Sequence, residues 1–366
     1  MLYRYGLDAK RQHIFRVDEL EKQISRKVRS NYAHCVCNGT AALKIGLYAL
    51  GVRPGDEVIT QSFTFVATIE AILELGATPI VTEIDASLNM DPADLKTKIT
   101  SRTKAIIPVH MAGVPAKMDE ILAIANKKNI PVFEDSAQAL GATYKGKYLG
   151  TLGKAGIYSL DIGKIITTGE GGVLVTNDKE LYLTARAYSD HGHEYNPSVP
   201  RGEDSRSFWG FNYKMTELQG AIGVAQLKKL DTILRKQRQN KQRLKSQLLD
   251  IESIEFRELP DVQGDAGDTL IFYLENPIQA KKVAKYLASE GIGTKNLPDA
   301  VDWHYAGTWT HIFGLYPEYK GKNLEQVWEQ STSFIRRAIA LPIMVQMEEQ
   351  RIDTIAAAVK KATQNI

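Results

Sequence analysis

The sequence predicts an α/β protein with a mostly parallel central sheet, helices on both faces of that sheet, and a smaller C-terminal α+β domain. Two observations carry this prediction. From about residue 38 to residue 177, short apolar runs alternate with segments of helical spacing, as in βαβ units. After about residue 240, two strand-like segments precede two helix-like ones. We therefore predict a large domain at residues 1–240, N-terminal segment included, and a small domain at residues 241–366.

The large domain is predicted element by element. Its first helix, "GTAALKIGLYALG", carries Leu43, Leu47 and Leu50 at helical spacing and ends at Gly51. Strands and helices then alternate in the order "DEVIT", "FVATIEAILELG", "TPIVTEI", "LKTKITS", "KAIIPVH", "KMDEILAIANKKN" and "IPVFED". Two further strands, "AGIYSL" and "GGVLVTN", follow without a crossover helix between them, so this pair is compatible with an antiparallel arrangement.

A long helical pattern connects the two domains. It runs from about Thr216 to Leu249 and is rich in Lys, Arg and Gln on its polar side. We interpret its basic run, "RKQRQNKQRLK", as a solvated helix face rather than a nucleic-acid arm. The small domain then contains the strand-like "IEFRELP" and "DTLIFYLE", the helix-like "PIQAKKVAKYLASEG" and a closing helix near residues 348–363.

Composition excludes several classes of function. The formal net charge of +3 and the pI near 8.5 are too mild to indicate a nucleic-acid partner, although they suit an anionic ligand. Neither an apolar stretch of about 20 residues nor a signal peptide is found, so we expect a cytoplasmic protein that does not enter a membrane. Cys35 and Cys37 are interpreted as buried structural thiols. The motif "DHGHE" lacks a further ligand, and no metal site is expected.

Three sequence features fall at the carboxyl ends of predicted strands, where open α/β sheets bind ligands. In "CNGTAAL", Gly39 and Thr40 open a helix whose free N–H groups favour a phosphate, although an ordinary capped turn has the same pattern. In "FEDSAQALG", Asp135 ends a strand and either faces a cationic nitrogen or caps a helix. In "LDIGKIITTGEGGVLVTND", Lys164 follows Ser159 by five residues, and by itself it could equally be a surface charge.

Taken together, the three features indicate one chemistry. A phosphate cradle, a carboxylate for a pyridinium nitrogen and a lysine that forms a Schiff base are the parts that a pyridoxal phosphate enzyme needs. A lysine beside a cofactor becomes a nucleophile when burial and neighbouring positive charge remove its proton. A nicotinamide-dependent dehydrogenase is disfavoured because "CNGTAAL" has one glycine and no G-x-G-x-x-G.

Nearly the whole chain resembles the DegT/DnrJ sugar aminotransferases, which have the fold of type I pyridoxal phosphate enzymes. The segments that carry the resemblance are "CNGTAALKIGL", "GDEVITQSFTFVATIEAILELGATPI", "IIPVHMAG", "FEDSAQALGATYKGKYLGTLG", "YSLDIGKIITTGEGGVLVTND" and "FNYKMTELQGAIGVAQLKKLD". The resemblance implies amino transfer from L-glutamate to a carbonyl sugar for amino-sugar or cell-surface polysaccharide biosynthesis. It also implies a homodimer with shared active sites.

The same resemblance implies residue roles. Lys164 would form the Schiff base, and Asp135 would pair with the pyridine nitrogen. Gln138 would lie near the ring hydroxyl, and Phe65 would stack on the ring. The phosphate would be held by Gly39, Thr40 and Ser159, together with Asn212 of the neighbouring subunit. Relatives usually have arginine where Lys214 stands and often phenylalanine where Leu160 stands, and neither change removes a chemical group from the mechanism.

Two segments bear on the sugar acceptor. "TKNLPDAVDWHYAGTWTHIFG" and "SDHGHEYNPSVPRGEDSRSFWGFNYKM" resemble a subgroup that includes 8-amino-3,8-dideoxy-manno-octulosonate transaminase. The implied acceptor is 3,8-dideoxy-8-oxo-manno-octulosonate, which carries no nucleotide. The candidate acceptor contacts are Trp303, His304, Trp309, His311, Arg201 and Arg206, while a packed interdomain loop and solvated arginines remain alternatives.

Other activities of the family stay open at this point. They are amination of a nucleotide-linked 4-keto-6-deoxysugar, sugar dehydration, and a non-catalytic regulatory role. Dehydratases of the family replace the lysine by histidine, so Lys164 favours transamination. Because Lys164, Asp135 and Gln138 are all present, a regulatory role is disfavoured.

Overall fold

The computed structural model describes residues 15–196, 198–199, 201–298 and 301–364, without the side chain of Arg201. Its N-terminal part contains the elements of a layered α/β domain. In chain order they are α1 (Arg16–Val28), β1 (Tyr32–Val36), α2 (Gly39–Ala49), β2 (Glu57–Gln61), α3 (Ala67–Leu73), β3 (Thr78–Thr82), α4 (Pro92–Lys98), β4 (Thr103–Ile107), α5 (Met118–Lys127), β5 (Phe133–Asp135), β6 (Thr143–Tyr144), β7 (Lys147–Tyr148), β8 (Ala155–Ser159), β9 (Gly172–Thr176), α6 (Lys179–Tyr188), α7 (Glu217–Leu227) and α8 (Leu230–Ser246).

The C-terminal part is smaller and mixes strands with helices. Its elements are β10 (Glu255–Phe256), β11 (Thr269–Tyr273), α9 (Pro277–Ser289), α10 (Thr310–Phe313), α11 (Leu324–Val327), α12 (Glu329–Arg337), β12 (Ala338–Pro342) and α13 (Glu349–Gln364). The three strands form an antiparallel sheet in the order β10-β11-β12. Helices α9 and α13 pack against this sheet through a common apolar cluster.

The central sheet has the predicted mostly parallel character. One part has the order β1-β9-β8-β5 and the other the order β3-β2-β4. Parallel bridges from Ile106 to Val132 and from Val109 to Asp135 join β4 to β5, so the seven strands form one layer. Strand β9 is antiparallel to both β1 and β8, while β2 is parallel to β3 and β4 and β5 is parallel to β8. The two strands without a crossover helix are therefore an antiparallel pair.

Both faces of the sheet are covered, because successive side chains of a strand point to opposite faces. In β2, Ile59 belongs to the cluster that contains residues of α1, α5, α7 and α8. Its neighbour Val58 belongs to the cluster that contains residues of α2, α3 and α6. Such strands, buried on both faces, are continuous apolar runs, which is why the sequence pattern predicted them well.

The long helical pattern from about Thr216 to Leu249 forms two helices in the structure. Helix α7 ends at Leu227 and α8 begins at Leu230. Helix α7 packs closely on α1, since a Cβ at Gly220 would lie 2.7 Å from the backbone nitrogen of Val17. Helix α8 packs elsewhere, with Leu234 against Gly141. The chain turns at residues 228–229, between the two helices.

Helix α8 also crosses residue 240, the predicted domain boundary. Leu230 and Leu234, near its N-terminus, belong to the apolar cluster of the large domain that also contains Ile59 of β2. Its C-terminal Leu244 belongs to the core of the small domain. One helix thus contributes to both cores, and the division at residue 240 stays a prediction.

Two smaller findings concern the membrane and cysteine predictions. Within the described residues, no helix is both long and apolar enough to cross a membrane. Cys35 is buried, but Cys37 is only half-buried, so the prediction that both thiols are buried is wrong for Cys37. Burial of the Cys37 thiol raises its pKa.

Candidate active site

A cavity of about 450 Å³ opens at the carboxyl ends of the central strands. Loops after β1, β2, β5 and β8 converge there, as expected for a ligand site in an open α/β sheet. The structure brings together in its lining seven of the predicted site residues and one candidate acceptor residue, namely Gly39, Thr40, Phe65, Asp135, Gln138, Ser159, Lys164 and His304.

The N-terminus of α2 forms one end of the cavity. Asn38 caps this helix, and its side-chain oxygen accepts a hydrogen bond of 2.8 Å from the backbone nitrogen of Ala41. A Cβ at Gly39 would lie 3.0 Å from the Cβ of Ser159, so glycine lets β8 approach the helix end closely. The N–H groups of a first helical turn have no partner within the helix, and the helix dipole adds partial positive charge. This end of the cavity can bind an anionic group.

Asp135 lies buried at the end of β5. Its Oδ2 accepts a hydrogen bond of 2.8 Å from the hydroxyl of Thr68, and its Oδ1 accepts one of 3.0 Å from the backbone nitrogen of Ala137. Burial raises the pKa of the Asp135 carboxyl, while the two hydrogen bonds and the positive charge of Lys164 oppose that rise. A cation in the cavity would stabilise the ionised carboxylate further.

Thr68 was not predicted from the sequence. Its hydroxyl lies 2.7 Å from the hydroxyl of Thr64, so the two threonines and Asp135 form a short hydrogen-bonded chain. No local pattern could indicate it, because Thr68 and Asp135 are 67 residues apart in sequence. Only the pairing of β2 and β5 with β4 brings α3 to the carboxylate.

Lys164 lies in the loop between β8 and β9. Its backbone nitrogen donates to the carbonyl oxygen of Asp161 at 3.1 Å, which holds the loop in a turn. Burial lowers the pKa of the Lys164 amine below its ordinary value of 10.5, against the opposing charges of Asp135 and Asp161. More of the amine is therefore in the neutral, nucleophilic form than for an exposed lysine.

Phe65 and His304 form a side wall of the cavity. Phe65 is 41% exposed, and its ring centroid lies 5.4 Å from that of His304. The backbone nitrogen of Thr64 donates to the carbonyl oxygen of His304 at 2.9 Å, and that of Val66 to the carbonyl oxygen of Trp303 at 3.1 Å. The segment that carries these aromatic residues is thus paired with the loop after β2.

Of the other candidate acceptor residues, four have described side chains that lie outside the cavity lining, namely Trp303, Trp309, His311 and Arg206. Trp303 is exposed beside Phe65, with ring centroids 6.5 Å apart. Trp309 is 1% exposed in an apolar cluster, and its Nε1 donates to the carbonyl oxygen of Asp302, so the structure contradicts a role in acceptor contact. The exposed side chains of His311 and Arg206 do not line the cavity. The side chain of Arg201 lies outside the described part of the chain.

Asn212 does not line the cavity of its own chain. It is exposed, and its backbone pairs with Asp190 in an antiparallel bridge. Lys214 stands where relatives usually have arginine, and it keeps the positive charge. It forms an ion pair with the buried Asp190. Within the described residues, no group of three or more His, Cys, Asp and Glu side chains could hold a metal ion.

Comparisons with known proteins agree on one family. The model of the DegT/DnrJ/EryC1/StrS aminotransferase family matches residues 12–360. GDP-perosamine synthase of Caulobacter vibrioides is 43% identical over 218 residues, which are 58% of this chain and 56% of that protein. The chain thus matches less than two thirds of the length of this relative.

Solved structures extend the similarity to nearly the whole chain. An aminotransferase from Psychrobacter cryohalolentis has a TM-score of 0.85 and 29% identity, covering 96% of this chain and 92% of that one. NtdA from Bacillus subtilis with bound cofactor PMP has a TM-score of 0.83 and 26% identity, covering 95% of this chain and 77% of that one.

Proposed function

The chain belongs to the DegT/DnrJ/EryC1/StrS aminotransferase family, and from that premise we propose that it transfers an amino group from L-glutamate to a carbonyl sugar. The cofactor is pyridoxal phosphate, whose amino form, PMP, is bound in the similar structure of NtdA. The observation that carries the proposal is that Lys164, Asp135 and the N-terminus of α2 line one cavity.

The residues of the cavity suit this cofactor. A phosphate suits the first turn of α2, where the lack of a Cβ at Gly39 keeps the approach to Ser159 open. A cationic ring nitrogen suits Asp135, because burial has raised the pKa of that carboxyl and a cation would compensate the buried charge. The exposed ring of Phe65 offers an apolar face against which an aromatic ring can stack.

The roles of the residues follow from this fit. When bound, pyridoxal phosphate holds the amino group between the two half-reactions and delocalises the negative charge that develops as a proton is moved. Lys164 would hold the cofactor covalently. Once the amino donor had displaced it, the free amine of Lys164 would take the proton from the donor carbon and return it, as general base and acid. Asp135 would keep the ring nitrogen protonated, and the hydrogen bond from Thr68 orients Asp135.

For the acceptor we propose 3,8-dideoxy-8-oxo-manno-octulosonate. This proposal rests on the two resembling segments, which bring His304 to the cavity wall and carry the exposed Arg206. A second candidate is a nucleotide-linked 4-keto-6-deoxysugar, favoured by the 43% identity to GDP-perosamine synthase. Dehydration and a purely regulatory role are less well supported, since Lys164, Asp135 and Gln138 line the cavity together.

An acceptor assay tests the function. The purified enzyme is converted to its amino form with L-glutamate and is then mixed with either the octulosonate aldehyde or a GDP-linked 4-keto-6-deoxysugar. We expect the absorbance of the aldehyde form to return with the octulosonate aldehyde and an amino sugar to appear by mass spectrometry. Turnover of the GDP-linked sugar alone would select the second candidate. Failure of L-glutamate to change the spectrum of the loaded enzyme would refute aminotransferase activity.

We also propose that the enzyme is a cytoplasmic homodimer in which Asn212 reaches the phosphate site of the neighbouring subunit. Large apolar side chains are exposed beside the relevant loops, with Trp209 64% exposed and Phe211 and Ile162 also exposed. Trp209 and Phe211 contact each other at 5.4 Å between ring centroids. Exposed apolar surface of this kind is typical of a protein interface.

Mixing an inactive variant with one that binds the cofactor weakly tests the shared site. Asn212→Ala should weaken binding of pyridoxal phosphate by roughly tenfold, because one hydrogen bond to a charged group is lost. Subunit exchange with Lys164→Ala should then restore activity at low cofactor concentration, because each mixed dimer has one intact site. Asn126→Ala, an exposed change on α5, is the matched control and should bind normally. Absence of any recovery from a mixture that demonstrably exchanges subunits would contradict the arrangement.

A further inference from the structure

Gln138 is held by a turn with an unusual backbone. The side-chain oxygen of Gln138 accepts a hydrogen bond of 2.8 Å from the backbone nitrogen of Ala112. This nitrogen belongs to the 3-10 turn Met111–Gly113, in which Ala112 has φ of 49° and Gly113 has φ of 69°. A residue with a Cβ rarely adopts such a conformation, so surrounding contacts must hold Ala112 there.

Arg257, which follows β10 in the small domain, supplies such contacts. Its Nη2 donates to the carbonyl oxygen of Met111 at 2.9 Å, and its Nε donates to the carbonyl oxygen of Ser87 at 2.6 Å. Asn89 completes the arrangement, since its side-chain oxygen accepts from the backbone nitrogen of Met111 at 3.0 Å. Both backbone polar groups of Met111 are therefore hydrogen-bonded within this cluster.

The small domain also contacts the far end of the turn. The backbone nitrogen of Ala266 donates to the carbonyl oxygen of Gly113 at 3.0 Å. A Cβ at Gly113 would lie 2.4 Å from the Cβ of Ala266, so glycine is needed for this approach as well as for its positive φ. The turn that holds Gln138 is thus held at both ends by residues that follow β10.

The charge of Arg257 is not explained by ion pairing. The side chain is buried, with 5% of the residue exposed, and its hydrogen bonds to Ser87, Met111 and Asn89 all go to neutral oxygen atoms. Burial lowers the pKa of the guanidinium, although more distant carboxylates such as Asp85 oppose this. A buried cation of this kind costs more than an apolar side chain of the same size. The directed hydrogen bonds of the planar guanidinium are what an apolar residue could not supply.

We propose that Arg257 is a positioning residue for Gln138. Its guanidinium holds the Met111–Gly113 turn through the carbonyl oxygen of Met111. This turn places the N–H of Ala112 so that it donates to the side-chain oxygen of Gln138. The amide nitrogen of Gln138 is then the atom left to face the cavity as a hydrogen-bond donor. This inference rests on the proposed function, because the acceptor for that donor is the ring oxygen of pyridoxal phosphate.

A double-mutant cycle on cofactor affinity tests the proposal. The apo forms of wild type, Arg257→Lys, Gln138→Ala and the double variant are titrated with pyridoxal phosphate. We expect each single change to weaken binding by about tenfold, the scale of one hydrogen bond to a charged group. The double variant should bind no more weakly than Gln138→Ala, because both changes remove the same contact. Losses that multiply in the double variant would overturn the proposal, as would unchanged affinity of Arg257→Lys.

Controls separate a local effect from unfolding. Arg337→Lys is the matched control, since its guanidinium donates to the carbonyl oxygens of Ser333 and Leu274, each at 3.1 Å, without touching the Met111 turn, and it should leave affinity unchanged. Should Arg257→Lys fail to fold, Arg257→Met takes its place in the cycle. In a third variant, Gln138→Glu, the carboxylate still accepts from Ala112 but has no donor for the ring oxygen, and binding should weaken as in Gln138→Ala. Wild-type affinity in Gln138→Glu would overturn the proposed orientation of the Gln138 side-chain amide.

The failure of this proposal differs from the failure of the proposed function. Wild-type protein that binds pyridoxal phosphate and gives an additive cycle would reject only the role of Arg257. Wild-type protein that does not bind pyridoxal phosphate would reject both.

Discussion

Replacing Lys164 by alanine is expected to lower the rate of amino transfer by on the order of 10⁴-fold, the upper range for loss of a general acid–base group. The amine has two tasks in the proposed mechanism, since it attaches the cofactor and moves the proton. Its lowered pKa suits both tasks, because attachment and removal of the proton each begin with the neutral amine. We also expect the absorbance of the lysine-bound cofactor to disappear, while thermal unfolding of the apo protein changes little.

Peptide mapping after borohydride reduction locates the attachment site. In the wild-type enzyme the label should be found on Lys164, and in Lys164→Ala it should be absent. Lys154→Ala is the matched control, because Lys154 precedes β8 and forms an exposed ion pair with Asp178. A label on another lysine of the wild-type enzyme, or an unchanged spectrum in Lys164→Ala, would remove the basis of the proposed mechanism.

The substitution Asp135→Asn is expected to lower kcat by roughly 10²- to 10³-fold, comparable to the loss of one electrostatic contact to a transition state. Asparagine has nearly the same shape, so the contacts with Thr68 and Ala137 need little rearrangement. What is lost is the negative charge that keeps the ring nitrogen protonated. Steady-state kinetics should therefore show a much larger change in kcat than in the KM for L-glutamate.

The same variant should also change a pH profile. Only the neutral amine of Lys164 captures the cofactor, so the rate of capture by the apo protein should rise with pH, with a midpoint below 10.5. The charge of Asp135 raises the pKa of Lys164. Its removal should lower that pKa further and move the midpoint to lower pH. Asp119→Asn, which removes an exposed partner of Lys145, is the control and should leave the midpoint in place. A midpoint that rises in Asp135→Asn would contradict the assigned geometry.

The residues on which these two predictions depend differ in how readily the sequence identifies them. The sequence identifies Asp135 and Lys164 because Asp135 ends one apolar strand and Lys164 follows another. The carboxyl ends of such strands meet at one edge of an α/β sheet. Thr68 and Arg257 could not be identified from the sequence, because each acts through a partner that is distant in sequence. Their partners, Asp135 and Met111, are 67 and 146 residues away in sequence.

Among the candidate contacts to the sugar acceptor, the sequence predicted a role for a residue that the structure buries. A segment rich in tryptophan and histidine predicted substrate contacts, yet Trp309 packs with Phe313 and Trp328 in an apolar cluster. His304, five residues earlier, lines the cavity. Aromatic residues are used both for cores and for ligand walls. Residue type therefore could not separate the two uses.

The amino-acid sequence by itself determined most of the strands and helices between residues 38 and 177, the mostly parallel sheet and the positions of Gly39, Asp135, Ser159 and Lys164 at or after strand ends. Each of these depends on local periodicity or on glycine and proline at short range. Tertiary structure alone decided the break between α7 and α8, the burial of Trp309, and the contacts of Thr68 and Arg257. Periodicity predicts that a side chain faces inward, but the residue that it contacts there depends on how distant segments pack.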